Sequence, residues 1–213
     1  MKSVAIIVTL FFSIFFLPRT SKNTQINSNP TEITAGLNCS PFNNMGVQRC
    51  TAGIDSSVLN IAAKDKQHAS QWCWAASIET VLNYYGYDIT QEDIVYQTWG
   101  KIQNMPGQPN DILNALNKTY TDRQGRVFTV SANTFSANHV TAAQDLANDN
   151  PLIIGTLGHA MVLTAVEYYR DINGNGQIIN AIVRDPWPYS PGRRSLSPNE
   201  WYSTSLLVRI RVY

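Results

Sequence analysis

The chain has 213 residues, a formal net charge of +1, 15% charged and 44% hydrophobic residues. A charge so close to zero, with no basic block anywhere, gives a nucleic-acid partner no electrostatic support. The apolar content is that of a globular protein, and no internal repeat or low-complexity tract interrupts it. Residues 58–213 therefore make up one domain's worth of chain around one core.

Met1-Lys2 and the apolar run from Val4 to Leu17 read as a basic start and an h-region, too short for a comfortable membrane span. Residues 1–20 are expected to be an export signal, which places the protein outside the cell or in the periplasm. No small-x-small cleavage site follows Leu17, so an uncleaved signal anchor is the alternative and the only membrane contact expected. Residues 21–57 are polar, rich in Pro, Asn and Ser, and weakly periodic; they are expected to be a linker, an N-terminal arm or a short propeptide. Export also turns the three cysteines into a disulfide question with one thiol left over. Cys39 and Cys50 are close in sequence, in a segment with little core of its own, and are expected to pair. Cys73 is the odd one, and an exported protein that keeps a free thiol usually uses it.

Cys73 opens a strongly helical stretch. Trp74, Ile78, Val81, Leu82 and Tyr85 fall on one helical stripe and Gly86 follows as a stop, which predicts an amphipathic helix over 71–86 with Ser70 as its N-cap. In the first turn, unsatisfied N–H groups and the positive end of the helix dipole favour the thiolate. Helix position alone does not decide this, since most helical cysteines are small buried hydrophobes.

Thr90-Gln91-Glu92-Asp93 resembles a capping box and predicts a second helix through Trp99, stopped by Gly100. Asn110 or Asp111 can cap a third helix through Leu116 and Asn117. Arg126 to Asn133 alternates as a strand, and Thr141 opens a fourth helix that ends before Pro151. Extended runs follow over 152–157, 159–169 and 177–184, the last two joined by a hairpin turn over 171–176. Residues 205–213 alternate again as a closing strand. Helices first and a mostly antiparallel sheet afterwards is an α+β pattern, with the Cys73 helix packed on the sheet. The turn at 171–176 also opens like a calcium loop, but its twelfth position is Ile182 and its flanks are strands, so no metal site is expected. Asn38 and Asn117 match the glycan acceptor pattern formally.

A thiolate nucleophile needs a base, and the chain has three histidines. His68 and His139 stand in polar approaches to helices and read as surface or capping residues. His159 sits between small neighbours, Gly158 and Ala160, at the junction of two apolar runs, where an imidazole needs a partner. Asp185 ends the neighbouring strand and can supply one, with Trp187 beside it in the rigid exit Asp185-Pro186-Trp187-Pro188.

Gln67, five intervening residues and then Cys73-Trp74-Ala75-x-Ser77, with Gly158-His159-Ala160 and Asp185-Pro186-Trp187 in the same order, resemble the papain-like cysteine peptidases. Trp72 and the aspartate as third member make the pattern most similar to their compact bacterial branch, which includes avirulence-type peptidases. The resemblance covers about residues 60–190. It implies a papain-like α+β fold and a peptidase that needs no cofactor. Its nucleophile would be Cys73, its general base and acid His159, and its orienting carboxylate Asp185. Gln67 would be a side-chain donor to the oxyanion hole beside the Cys73 N–H, with Gln71 close enough to compete for that role. Trp72, Trp74 and Trp187 would line the substrate side, Trp187 also shielding the His159–Asp185 pair. Ser70 stands where plant and lysosomal enzymes have a cysteine, so their local disulfide is absent. The implied partner is a protein or peptide substrate. Two alternatives keep the same residues: an amidase or transferase acting on cell-wall or side-chain amides, and a non-catalytic binding or immunity module on a peptidase scaffold.

Overall fold

The computed structural model describes residues 33–135 and 139–213; the export signal expected over 1–20 lies outside them. Among the described residues, no helix is long and apolar enough to cross a membrane. In chain order the elements are β1 (Gly36–Cys39), β2 (Val47–Gly53), α1 (Ser56–Ala62), α2 (Cys73–Tyr84), α3 (Gln91–Trp99), α4 (Pro109–Leu116), β3 (Lys118–Thr121), β4 (Val127–Thr134), α5 (His139–Ala147), β5 (Leu152–Thr156), β6 (His159–Asp171), β7 (Gly176–Arg184), β8 (Arg193–Ser195), α6 (Pro198–Tyr202) and β9 (Thr204–Val212). This is the expected α+β architecture.

The strands form one sheet in the order β1-β2-β6-β5-β9-β4-β3, with β7 on the other edge of β6 and β8 beyond it. The paired strands are antiparallel. β6 organises the sheet. Its first residues pair with β5 and its later ones with β2, while β7 runs along its opposite edge.

Alternating residues of β5 and β6 serve two apolar layers. Ile153, Ala160 and Val162 join the layer that holds α2, α3 and α4. Leu152, Ile154, Met161 and Leu163 join the layer under α1 and α5. A strand buried on both faces has no polar alternation, which is why 152–157 and 159–166 read as continuous apolar runs.

Of residues 21–57, expected to be a linker, an N-terminal arm or a short propeptide, Gly36–Cys39 and Val47–Gly53 are strands of the sheet, so the linker reading is corrected for them. Gln48, Cys50 and Ala52 of β2 are buried, and β2 pairs with β6 from Val47↔Asp171 to Gly53↔Ala165. The segment looks polar because β1 is an exposed edge strand and carries little core of its own. The Cys39–Cys50 disulfide forms as expected and staples that edge, its two cysteines being direct register partners.

α2 begins at Cys73 rather than at 71, and its N-cap is Trp72, whose side chain makes no capping bond. Ser70 Oγ instead accepts from Asn104 Nδ2 at 2.9 Å. At the other end Gly86 has φ +86°, its N–H reaches Asn83 O at 2.9 Å, and the Tyr87 N–H reaches Leu82 O at 3.0 Å. Those two bonds are a Schellman stop, which requires the left-handed residue that glycine supplies. The helix is buried nearly all round, Ser77, Glu79 and Thr80 included, so the apolar stripe understated how central it is. α3 begins with the expected capping box, Thr90 with Asp93, and ends at Gly100.

β5 and β6 are joined by the two residues Leu157 and Gly158, with φ of 50° and 78°. Positive φ at both central positions is the demand of a type I′ hairpin turn, which favours Asn-Gly. Leucine in that region costs on the order of 1–2 kcal/mol. Leu157→Asn is therefore expected to raise the unfolding free energy by about 1 kcal/mol, read from denaturant melts; an unchanged or lower midpoint would refute the strained-turn account.

Candidate active site

α2 delivers its first residue, Cys73, against the start of β6. The Ala160 backbone N–H points at Cys73 Sγ at 3.5 Å. His159, the first residue of β6, is aimed by the tight turn before it. Its Nε2 pairs with Asp185 Oδ1 at 2.8 Å, and that oxygen also accepts the Trp187 N–H at 2.9 Å. Asp185 follows the end of β7, the strand paired with β6, so one hairpin brings imidazole and carboxylate together. With Nε2 committed to Asp185, the ring's other nitrogen is left for the thiol.

The electrostatics of the three groups support one another. Burial pushes the Cys73 thiol up, but the hydrogen bond and charge of His159 and the Ala160 N–H more than offset it, leaving the thiol below its usual range. Burial pulls the His159 imidazole down, yet Asp185 and Cys73 raise it to about 9. Burial would raise Asp185 too. Its bonds to His159, Arg194 and the Trp187 N–H instead hold it far below the ordinary carboxylate range. The thiol is shifted down and the imidazole up, the direction in which each group's charged form is favoured by the other.

The cleft beside Cys73 is lined by Gln71, Trp74, Gly107, Ile112, Gly155 and Leu206, with His159 and Ala160 on its far side. Trp74 thus lies on the cleft wall, its indole N–H on Met105 O at 3.3 Å. Trp72 does not, and that expectation is corrected: its ring is buried at 4% exposure and donates to Gln103 O at 2.9 Å. Trp187, 39% exposed, stands edge-on to His159 with ring centroids 6.4 Å apart, beside the His159–Asp185 pair rather than in the cleft. Gln67 is 6% exposed, and its Nε2 donates to the carbonyls of Ala69 and Ser70, both at 3.0 Å. Both of its N–H groups are spent in this structure, and the glutamine on the cleft wall is Gln71. His68 pairs with Glu92 at 2.8 Å, the surface role expected for it.

Two residues that shape the site carried no recognisable signal. Arg194 Nε binds Asp185 Oδ2 at 2.7 Å. Glu79, on α2, accepts from Gln91 Nε2 at 2.7 Å, and Gln91 in turn holds the Lys66 carbonyl and the His68 N–H, fixing the segment that carries Gln67.

A free thiol at a helix start, facing a carboxylate-backed imidazole across an α+β interface, is the arrangement of the papain-like cysteine peptidases. The chain belongs to the Peptidase_C39 like family, whose profile matches residues 58–204. Among solved structures it is similar to the crystal structure of a double glycine motif protease from an AMS/PCAT transporter in complex with the leader peptide. That likeness has 17% identity and a TM-score of 0.41, and covers 69% of this chain and 87% of the other. No curated protein matches the chain by sequence.

Glu79 offers a check on the packing behind the nucleophile. Only 4% exposed, it is raised by burial to about 7, the Gln91 bond pulling the other way. An unfolded glutamate titrates near about 4.3. Below that pH the group is protonated in both states and costs nothing. Between 4.3 and 7 the unfolded state gives up its proton first, so folding loses stability, and above 7 the full cost remains. Glu79→Gln is expected to match the native protein near pH 4 and to exceed its stability by on the order of 3 kcal/mol at pH 8. Paired thermal melts across that range measure the difference, and a constant offset would contradict the buried-carboxyl account.

Proposed function

We propose that the protein is an exported cysteine peptidase that cleaves peptide bonds through Cys73, His159 and Asp185 by way of an acyl-enzyme. The observation that carries this reading is that the start of β6 meets both partners, the Ala160 N–H lying on Cys73 Sγ and the His159 Nε2 on Asp185 Oδ1. Membership of a peptidase family supports it.

In this mechanism the Cys73 thiolate attacks the substrate carbonyl carbon, and the carbonyl electrons move to oxygen. As the tetrahedral species collapses, the C–N bond breaks and the His159 imidazolium gives its proton to the departing amine, leaving a thioester on Cys73. His159, now neutral, takes a proton from water, whose oxygen attacks the thioester; the acid leaves and the thiolate–imidazolium pair is restored. Asp185 holds the imidazole in the tautomer and orientation that both steps need.

The first oxyanion donor is the Cys73 N–H. At the start of α2 it has no intrahelical acceptor, and Trp72 provides no side-chain cap to occupy that end. The second is a side-chain amide. Gln67, the residue implied by the family pattern, must release the Ala69 or Ser70 carbonyl to serve, whereas Gln71 already lies on the cleft. The narrower likeness to avirulence-type peptidases rests on Trp72 before the cysteine and on Asp185 in place of asparagine. Export rests on the apolar run at 4–17 and on the Cys39–Cys50 disulfide, a bond that persists in oxidising compartments.

Cys73→Ala is expected to abolish cleavage of unstructured protein and peptide substrates while leaving the circular dichroism spectrum unchanged; full residual activity would remove Cys73 from the mechanism. Separate Gln67→Ala and Gln71→Ala variants identify the second oxyanion donor. Loss of the true donor lowers kcat about 100- to 1,000-fold, and loss of the other glutamine leaves kcat within a few-fold. Should both leave kcat unchanged, no side-chain amide serves the oxyanion.

A further inference from the structure

Asp185 is gripped from two sides. Oδ1 faces His159 Nε2 and the Trp187 N–H, while Oδ2 accepts from Arg194 Nε at 2.7 Å. Arg194 lies on β8 opposite Val183 of β7, so strand pairing carries it to the carboxylate. The rest of its guanidinium is equally engaged. Nη2 and Nη1 reach the Glu200 carboxylate at 2.7 and 3.1 Å, and Nη2 also lies 3.2 Å from Met161 Sδ. Glu200 is fixed in turn by the capping box of α6, where it accepts the Ser197 N–H at 2.8 Å. With both oxygens occupied, the Asp185 carboxylate cannot rotate without breaking a charged hydrogen bond.

We propose that Arg194 is a positioning residue of the Cys73 site: it fixes which oxygen of Asp185 faces His159 and takes up part of that carboxylate's charge, leaving the imidazolium able to release its proton. The inference rests on the hydrolytic reading above. A bare carboxylate beside an imidazolium holds the proton more tightly, typically by about 1–3 pKa units. His159 already stands at about 9. Raised further, it would become a poorer acid for the leaving amine at neutral pH. Arginine suits the task because it stays charged at every working pH and its fork meets two carboxylates at once.

The charged groups around His159 come from every element that meets there. Cys73 is on α2, Asp185 follows β7, Arg194 is on β8 and Glu200 is on α6. Lys66, before α2, places Nζ on the Asp185 main-chain carbonyl at 3.0 Å. Arg194 is the cation on the Asp185 carboxylate itself.

The test measures the rate at which iodoacetamide alkylates the full chain, disulfide intact, as a function of pH. The thiolate displaces iodide, and Cys73 is the cysteine outside the disulfide. The native profile is expected to have two steps, one at low pH where the thiolate forms beside the imidazolium and one at high pH where the imidazolium loses its proton. Arg194→Met is expected to move the upper step up by about one pH unit. Arg194→Lys, which keeps the charge, and Glu200→Gln, which releases only the other side of the fork, are expected to leave it within a few tenths of a unit. If loss of Arg194 alone prevents folding by stranding Glu200, the double variant R194M/E200Q removes both charges together and is expected to move the step up by about half a unit. A folded variant lacking Arg194 whose upper step stays put or falls overturns the proposal, as does a lysine variant that shifts as far as the methionine one. A native profile with a single step in the ordinary thiol range has no ion pair and overturns the hydrolytic reading as well. A two-step native profile with unmoved variants overturns only the role of Arg194.

Discussion

The site depends on one meeting point: the N-terminus of a buried helix has to arrive at the first residue of a strand. The Ala160 N–H on Cys73 Sγ marks that point. Neither partner has much freedom. α2 is enclosed by α3, α4 and the sheet and is ended by its Schellman stop, so its axial position is set by packing along its length. The start of β6 is set by a two-residue turn that tolerates a leucine at positive φ. Such local strain persists only where the surroundings over-determine the backbone, and here β5, β7 and β9 do so. The thiol and the imidazole thus meet because two rigid elements end at the same place, not because flexible side chains reach for one another.

Electrostatics follows from that geometry. From the cleft outward acidic and basic groups alternate: Cys73, His159, Asp185, Arg194, Glu200. Each is partly buried, where opposite neighbours are screened less than in water. Alternation lets a buried carboxylate such as Asp185 stay ionised against its own desolvation. Glu79 shows the contrary case on the same helix. Also buried, but with an amide rather than a cation as hydrogen-bond partner, it is pushed to about 7. Two buried carboxyls of one protein therefore differ in kind according to whether a guanidinium or an amide meets them.

The sequence disclosed much of this because the decisive features are local. The Cys73 helix, the two-sided apolar runs around His159, and the hairpin that brings Asp185 to His159 each leave a periodicity or a turn signal. The cysteine count pointed to the Cys39–Cys50 pair. What stayed hidden is non-local or lacks a pattern of its own. β2 looked like linker because its partner strand, β6, comes more than a hundred residues later in the chain, and β1 because it is an exposed edge strand paired only to β2 among the described residues. β8 has three residues and α6 five, too few for any period to show, and it is from these that Arg194 and Glu200 act. Ser70 is not the cap because the helix starts at Cys73, with Trp72 as its N-cap, and the Ser70 hydroxyl accepts instead from Asn104 in the loop after α3. Trp72 and Trp74 flank the cysteine and both are buried in the same core, but Trp74 also borders the cleft and Trp72 does not.

Trp74 links the cleft wall to Cys73. It follows Cys73 on α2, is almost wholly buried, and packs against Trp99 with ring centroids 5.0 Å apart. Gly107 lies against its cleft-side face so closely that a Cβ there would come within 2.6 Å of the indole. The 103–107 segment also receives both indole N–H bonds, Trp72 on Gln103 O and Trp74 on Met105 O. One wall of the cleft is therefore built on the helix that presents the thiol. A displacement of α2 that moved the sulfur would carry Trp74 and the 103–107 segment with it, whereas the opposite wall, Gly155 and Leu206, belongs to the sheet along with His159. The cleft is the seam between α2 and the sheet, with Cys73 on the helix side and His159 on the strand side.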